Sequence, residues 1–78
     1  MLLKKRDKIQ RLDYYFAGYD SSSPDFCIWV PSRAAAISIK SRNVVDKLVN
    51  YLYVNYKLNT KIFSLEVIDG QHLEKVVS

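Results

Sequence analysis

One amphipathic segment, residues 42–58, constrains this chain more than any other feature. Its apolar residues follow the i, i+3, i+4, i+7, i+11 spacing of one helix face: Val45, Leu48, Val49, Leu52 and Tyr56. Ser41, directly before it, is a favoured N-cap residue. Because a chain of 78 residues buries only one small core, the rest of the chain has to cover that face. We therefore predict one domain over residues 1–78, with a central helix over 42–58.

Strand patterns flank this helix on both sides. Residues 26–30 read as a strand that Pro31 ends, because proline has no N–H for a sheet. Residues 35–40 alternate apolar and polar side chains and would pair with it through a turn over 31–34. Residues 61–68 alternate in the same way. The predicted fold class is α+β, a small single-layer antiparallel sheet of about three strands packed against the central helix.

The N-terminal segment, residues 3–17, fits two structures. As a helix it would carry one apolar face, with Gly18 suited to the position after the helix end: Leu2, Ile9, Leu12 and Phe16. As a strand it would alternate apolar and polar residues from 12 to 16, and the aromatic run over 14–16 favours that structure. We predict the N-terminal helix and keep the strand as the alternative.

The C-terminal segment also leaves two alternatives open. Asp69-Gly70 would suit a hairpin turn, or Asp69 would cap a short C-terminal helix. The spacing of Leu73, Val76 and Val77 favours the helix. Residues 18–25 form a Ser/Asp loop in which Asp20 and Asp25 are expected to bond the backbone, as aspartate does in turns.

The positive charge of the chain is concentrated at its start. The net charge is +4, and residues 1–12, a basic N-terminal arm, account for all of it. In a helical arm four residues would share one face: Lys4, Lys8, Arg11 and Tyr15. Nucleic-acid binding is therefore the alternative function, with phosphate contacts from six residues: Lys4, Lys5, Arg6, Lys8, Arg11 and Tyr15.

Few residues of the chain suit catalysis. One cysteine excludes an internal disulfide, and one histidine with one cysteine is too few for the common zinc sites. Cys27 reads as a small buried hydrophobe, and His72 has no evident acid–base partner. We predict a protein that is not an enzyme and uses no cofactor and no metal.

Aromatic residues make up 13% of the sequence, which favours a contact surface. If Phe26, Ile28 and Val30 face the core, Cys27 and Trp29 face the other side of the sheet. The helix carries a second apolar patch beside its core face: Val44, Tyr51, Val54 and Leu58. The leading hypothesis is a non-catalytic module that docks on a protein partner, or on a second copy of itself. Its predicted interface residues are Trp29, Tyr51, Val54 and Leu58.

The sequence also bears on location. It has no apolar run near the roughly 20 residues that a membrane span needs, and no signal-peptide pattern follows the basic start. We expect an intracellular, soluble protein, in the cytoplasm by default. Binding of residues 3–17 to a membrane surface is the least favoured option, because Lys5 and Arg6 interrupt the apolar side.

Overall fold

A computed structural model describes residues 1–69. Four strands form one antiparallel sheet in the order β3-β2-β1-β4: β1 (Leu2–Asp7), β2 (Leu12–Tyr19), β3 (Cys27–Val30) and β4 (Phe63–Ile68). Helix α1 (Arg42–Asn50) continues into a π-helical turn, Tyr51–Asn55, and packs on one face of the sheet. The α+β class is therefore correct, but the sheet has four strands instead of about three.

The predicted N-terminal helix is wrong, because residues 2–19 form a β-hairpin. Asp7 closes its turn, since its Oδ1 accepts the backbone N–H groups of Ile9 (3.0 Å) and Gln10 (2.9 Å). Arg11 completes the turn in the left-handed conformation, with φ 58°. The helix prediction failed because it assigned Ile9 and Leu12 to the core. Both side chains are exposed in the hairpin.

Strand β1 lies inside the sheet and is paired along both edges. Lys5 stands opposite Tyr14 of β2 and opposite Leu65 of β4. Side chains alternate between the faces of a strand, so Leu3 and Lys5 point to the helix side while Lys4 points to the open side. Leu3 is fully buried beneath the helix. The predicted basic arm over residues 1–12 therefore consists mainly of β1 and the hairpin turn, and β1 is one of the two inner strands of the sheet.

The predicted strand over Ala35–Lys40 and its hairpin with β3 are also wrong. The chain instead makes a 3₁₀ turn, Arg33–Ala35, and then crosses the end of the sheet in extended form. The N–H of Ile37 donates to the carbonyl of Phe16 (3.0 Å), and the N–H of Ile39 donates to the carbonyl of Met1 (2.6 Å). The pairing of β1 with β2 ends at Lys4 opposite Tyr15. The carbonyls of Phe16 and Met1 lie beyond this pairing and can therefore accept the N–H groups of the crossing segment.

The central helix and its cap are confirmed, with an earlier end. The Ser41 hydroxyl accepts the N–H of Val44 (3.4 Å), and Val45, Leu48 and Leu52 are buried. The helix stops near residue 55 instead of 58, because Lys57 takes a left-handed φ of 60°. The buried cluster joins helix and sheet: Leu3, Phe16, Cys27, Ile39, Val45, Leu48 and Leu52. No helix in the described part of the chain is long and apolar enough to cross a membrane.

The last strand begins two residues later than predicted, at Phe63. Asn59 organises the preceding turn, because its carbonyl accepts the N–H groups of Ile62 (3.1 Å) and Phe63 (2.8 Å). The outward N–H of Leu65 donates to the Tyr53 hydroxyl (3.1 Å), which protects part of this sheet edge. The predicted C-terminal helix, with Leu73, Val76 and Val77, and also His72, lie outside the described residues.

Truncation of Leu3 tests the position of β1. Leu3→Ala should lower the free energy of unfolding by about 2–5 kcal/mol, because it leaves a cavity under the helix. Ile9→Ala is the matched control, because the Ile9 side chain is 70% exposed, and it should change stability by less than about 0.5 kcal/mol. Urea denaturation measures both values. Equal effects of the two variants would contradict the burial of β1.

Candidate functional site

The loop between β2 and β3 is folded by its own aspartates. Asp20 Oδ1 accepts the backbone N–H of Ser22 (3.0 Å) and its hydroxyl (2.7 Å). These bonds lower the pKa of Asp20 below its ordinary value. The N–H of Asp20 donates to the carbonyl of Phe26 (2.9 Å), and the N–H of Phe26 donates to the carbonyl of Ser23 (3.1 Å). The loop therefore holds its shape through local hydrogen bonds.

Asp25 connects this loop to the sheet. Its carboxylate is buried, with 6% exposure, and both oxygens are occupied. Oδ1 accepts the N–H of Cys27 (3.1 Å), and Oδ2 accepts the indole Nε1–H of Trp29 (2.7 Å). Asp25 thus fixes the orientation of the Trp29 ring, and satisfies a buried donor that would otherwise lose its partner.

A β-bulge in β2 brings Tyr19 to the helix side of the sheet. Phe16 stands opposite Trp29 and Gly18 opposite Ile28, so Ala17 is the extra residue. Gly18 has φ 133°, which a residue with a side chain rarely adopts. The extra residue shifts the alternation, so that Phe16 and Tyr19 share a face. Their ring centroids lie 5.2 Å apart, in an edge-to-face arrangement.

The faces of β3 are the reverse of those considered from the sequence. Cys27 is buried toward the helix, and the Trp29 ring packs edge-to-face on Phe16, with centroids 6.1 Å apart. Phe26 and Ile28 are exposed instead. Burial raises the pKa of the Cys27 thiol to about 11, so it stays protonated at neutral pH. This cysteine is therefore a core residue and a poor nucleophile.

An apolar groove of about 410 Å³ lies between the β2–β3 loop and α1. The loop and the adjoining ends of β2 and β3 form one wall, with Tyr19, Asp25, Phe26 and Cys27. The helical segment forms the other wall, with Val44, Lys47, Leu48 and Tyr51. The rings of Tyr19 and Phe26 are 65% and 52% exposed, and Val44 is also exposed. The groove is thus open and rimmed by aromatic side chains, with one cation, Lys47, among its lining residues.

Phe26 is held in an unfavourable backbone conformation at this groove. Its φ of 60° lies in the left-handed region, where a side chain costs roughly 1–2 kcal/mol. A large exposed aromatic ring gains little from burial to offset that cost. Strain of this kind is concentrated at functional positions in proteins.

A second cluster occupies the same face, on the half that the helix leaves uncovered. Lys5, Tyr14, Trp29 and Phe63 line a cavity of about 300 Å³, together with Asp7 and Gln10. The Lys5 Nζ lies 4.3 Å from the Trp29 ring centroid and 5.1 Å from that of Phe63. Burial lowers the pKa of Lys5 below its ordinary value. We call these four residues the aromatic platform.

The predicted interface residues do not lie together. Tyr51 lines the groove, whereas Trp29 belongs to the aromatic platform. Val54 is 60% exposed at the end of the helix. Leu58 is buried, so its side chain is not available to a partner. Its backbone N–H donates to the carbonyl of Leu52 (2.9 Å).

The residues predicted for phosphate contact are also separated. Lys4 pairs with Glu66 (2.9 Å) and Arg6 with Asp13 (2.8 Å), and Tyr15 lies beside Lys4 on the same open face. The bond to Glu66 raises the pKa of Lys4. Lys5 points to the opposite face, and Lys8 and Arg11 lie in the hairpin turn. The single stripe expected from a helix therefore does not exist.

Three groove residues and two platform residues were missed from the sequence: Tyr19, Phe26, Lys47, Tyr14 and Phe63. The bulge at Ala17 reversed the face of Tyr19, and only Gly18 offered a signal for it. Phe63 meets Lys5 through the pairing of β1 with β4, which joins distant parts of the chain.

Comparisons with protein-family models, with curated proteins and with solved structures found no match to this chain. Function is therefore inferred from the geometry of the groove and the platform.

Replacement of Asp25 tests its role as the link between loop and sheet. Asp25→Asn should lower the free energy of unfolding by about 1–3 kcal/mol, because an amide cannot accept both N–H groups. The emission of Trp29, the single tryptophan of the sequence, should shift to longer wavelength.

Asp20→Asn is the matched control, because that carboxylate bonds only within the exposed loop. It should cost less than about 1 kcal/mol and leave the emission unchanged. An Asp25→Asn protein with unchanged stability and emission would contradict the assignment.

Proposed function

We propose that this protein is a non-catalytic module that docks on a partner protein through the apolar groove. The observation that carries the proposal is the exposed, left-handed Phe26 at the groove mouth. The backbone of Phe26 closes the loop by bonding to Asp20 and Ser23, but folding gives no reason for a large ring at that position with half its surface in water. A partner that covers the ring does give one.

The size and lining of the groove suit an anchoring side chain. A space of about 410 Å³ accepts one large apolar side chain of a partner. Tyrosine and other aromatic residues supply large contact area at low conformational cost, so they dominate interface energetics. Lys47 would pair with an acidic residue next to that anchor. The proposed partner therefore presents an apolar side chain with a neighbouring carboxylate.

The chemistry of the groove supports binding better than catalysis. The carboxylate of Asp25 is occupied by two N–H donors, and the Cys27 thiol is protonated. Within residues 1–69, no group of three or more His, Cys, Asp or Glu side chains could hold a metal ion. We therefore propose an interaction role, with a protein partner or a second copy of this chain in the groove.

Phe26→Gly separates a docking role from a folding role. Glycine adopts φ 60° without strain, so the stability of the free protein should stay within about 1 kcal/mol of wild type. Binding should fall at least about tenfold, because the ring is an interface anchor. Self-association is measured first, by sedimentation equilibrium. If the wild type is monomeric, tagged wild type, Phe26→Gly and Ile9→Ala proteins are compared as baits by quantitative mass spectrometry.

The proposal predicts that the wild type either dimerises or captures a partner protein, and that Phe26→Gly abolishes this association. Ile9→Ala should leave the association unchanged, since Ile9 is exposed at the far end of the sheet. A Phe26→Gly protein that is destabilised by several kcal/mol would show that the ring serves folding. Equal association of all three proteins would also contradict the proposal.

A further inference from the structure

The aromatic platform shares no lining residue with the docking groove and has a different chemistry. The pairs Lys5–Tyr14 and Phe16–Trp29 of the sheet place these side chains on the helix side, and Phe63 opposite Asp7 joins them there. Tyr14 and Phe63 are outside the buried cluster under the helix. The platform thus presents three aromatic side chains around one ammonium group, all of them partly exposed.

The Lys5 ammonium forms no ion pair within the described residues, unlike its neighbours Lys4 and Arg6, and Asp25 attracts it only from a longer distance. Asp7, Asp20 and Asp25 each line a cavity together with Lys5, and each already accepts hydrogen bonds. Asp7 Oδ1 accepts two backbone N–H groups, and Asp25 accepts from Cys27 and Trp29. A partly buried cation with unused donors, next to aromatic rings, is suited to an anionic group attached to a planar ring.

Further cations border the platform at the hairpin end of the sheet. The N–H of Lys8 donates to the carbonyl of Ile62 (2.7 Å), and its Nζ donates to that of Thr60 (2.8 Å). These bonds hold the turn with Arg11 beside the loop with Lys61. The acids at this end are Asp7, which is 9% exposed, and Asp13, which pairs with Arg6. The positive charge here extends over several residues, enough to follow more than one phosphate.

We propose that the aromatic platform binds single-stranded nucleic acid. A base would take the place of the Lys5 ammonium over the Trp29 and Phe63 rings, and Lys5 would turn to bind the adjoining phosphate. Lys8, Arg11 and Lys61 would contact neighbouring phosphates. Stacking on aromatic side chains beside a positive track is how single strands are held without sequence preference. This function goes beyond protein docking and uses the other half of the face.

Trp29 reports on this site directly, because it is the single tryptophan of the sequence. The probes are decathymidylate and decauridylate, titrated into the full chain while tryptophan emission is recorded. Both oligonucleotides should quench the emission saturably. A rise in salt from about 50 to 200 mM should weaken binding roughly 20- to 50-fold, as expected for three or four phosphate contacts. Absence of quenching at low salt, or affinity independent of salt, would overturn the proposal.

Three variants locate the binding. Lys5→Met should bind at least about tenfold more weakly, and loss of a desolvated charge should leave it folded. Lys61→Gln, at an exposed position, should reduce the slope of log affinity against log salt concentration by about 0.7. If Lys5→Met does not fold, this change in slope tests the phosphate contacts in its place. Lys40→Met is the control, since Lys40 lies next to Ile39 at the other end of β1. Equal binding by Lys5→Met and Lys40→Met, or an unchanged salt slope in Lys61→Gln, would overturn the proposal.

Thymidine monophosphate separates a strand site from a nucleotide site. The decamer should bind at least about tenfold more tightly, because it reaches the cations of the hairpin end. Equal affinity for the monophosphate would overturn the assignment to single strands. Phe26→Gly should bind the decamer as the wild type does, so failure of this proposal and failure of the docking proposal are distinguishable.

Discussion

The rest of the structure depends on the pairing of β1 along both of its edges. Its neighbours are β2, joined to it by a tight turn, and β4, which follows only after the helix. This pairing puts Leu3 under the helix and makes Lys4 and Arg6 stand opposite the acids that neutralise them. Charge that looks like a free arm in the sequence therefore lies within the sheet. Among residues 1–69, basic side chains without an acid opposite them lie elsewhere, at the hairpin end with Lys8, Arg11 and Lys61 and in the segment over 33–40.

A second consequence is that the sheet extends beyond the helix. The helix covers the part of the face around Leu3 and Phe16 and leaves the part around Lys5 open. The bulge at Ala17 and the bonds of Asp25 then decide which aromatic rings reach that side. One face of a very small protein thus carries two surfaces of different character. The groove is apolar and next to the helix, whereas the platform combines aromatic rings with an ammonium that forms no ion pair with any described residue.

Local patterns predicted the elements that local physics determines. The helix, its Ser41 cap and the alternation in β4 all followed from spacing along the chain. The N-terminal hairpin did not, because helical and alternating patterns coexist there and the choice is made by β4, about sixty residues away. The extended crossing over 36–40 looked like a strand because Ile37 and Ile39 alternate, yet it bonds to carbonyls at the sheet end. Of the predicted interface, Tyr51 lies in the groove, whereas the face of Tyr19 and the strain at Phe26 depend on the bulge and the loop.

Amide hydrogen exchange, measured residue by residue by NMR, tests the central position of β1 most directly. An inner strand has its N–H groups bonded on both sides, so exchange requires opening of the whole sheet. The amides of Lys4, Lys5 and Arg6 should exchange as slowly as those of Leu48 and Leu52 in the helical segment. Exchange of these three amides at the rate of an unstructured peptide, with the helix still protected, would contradict this account of the fold.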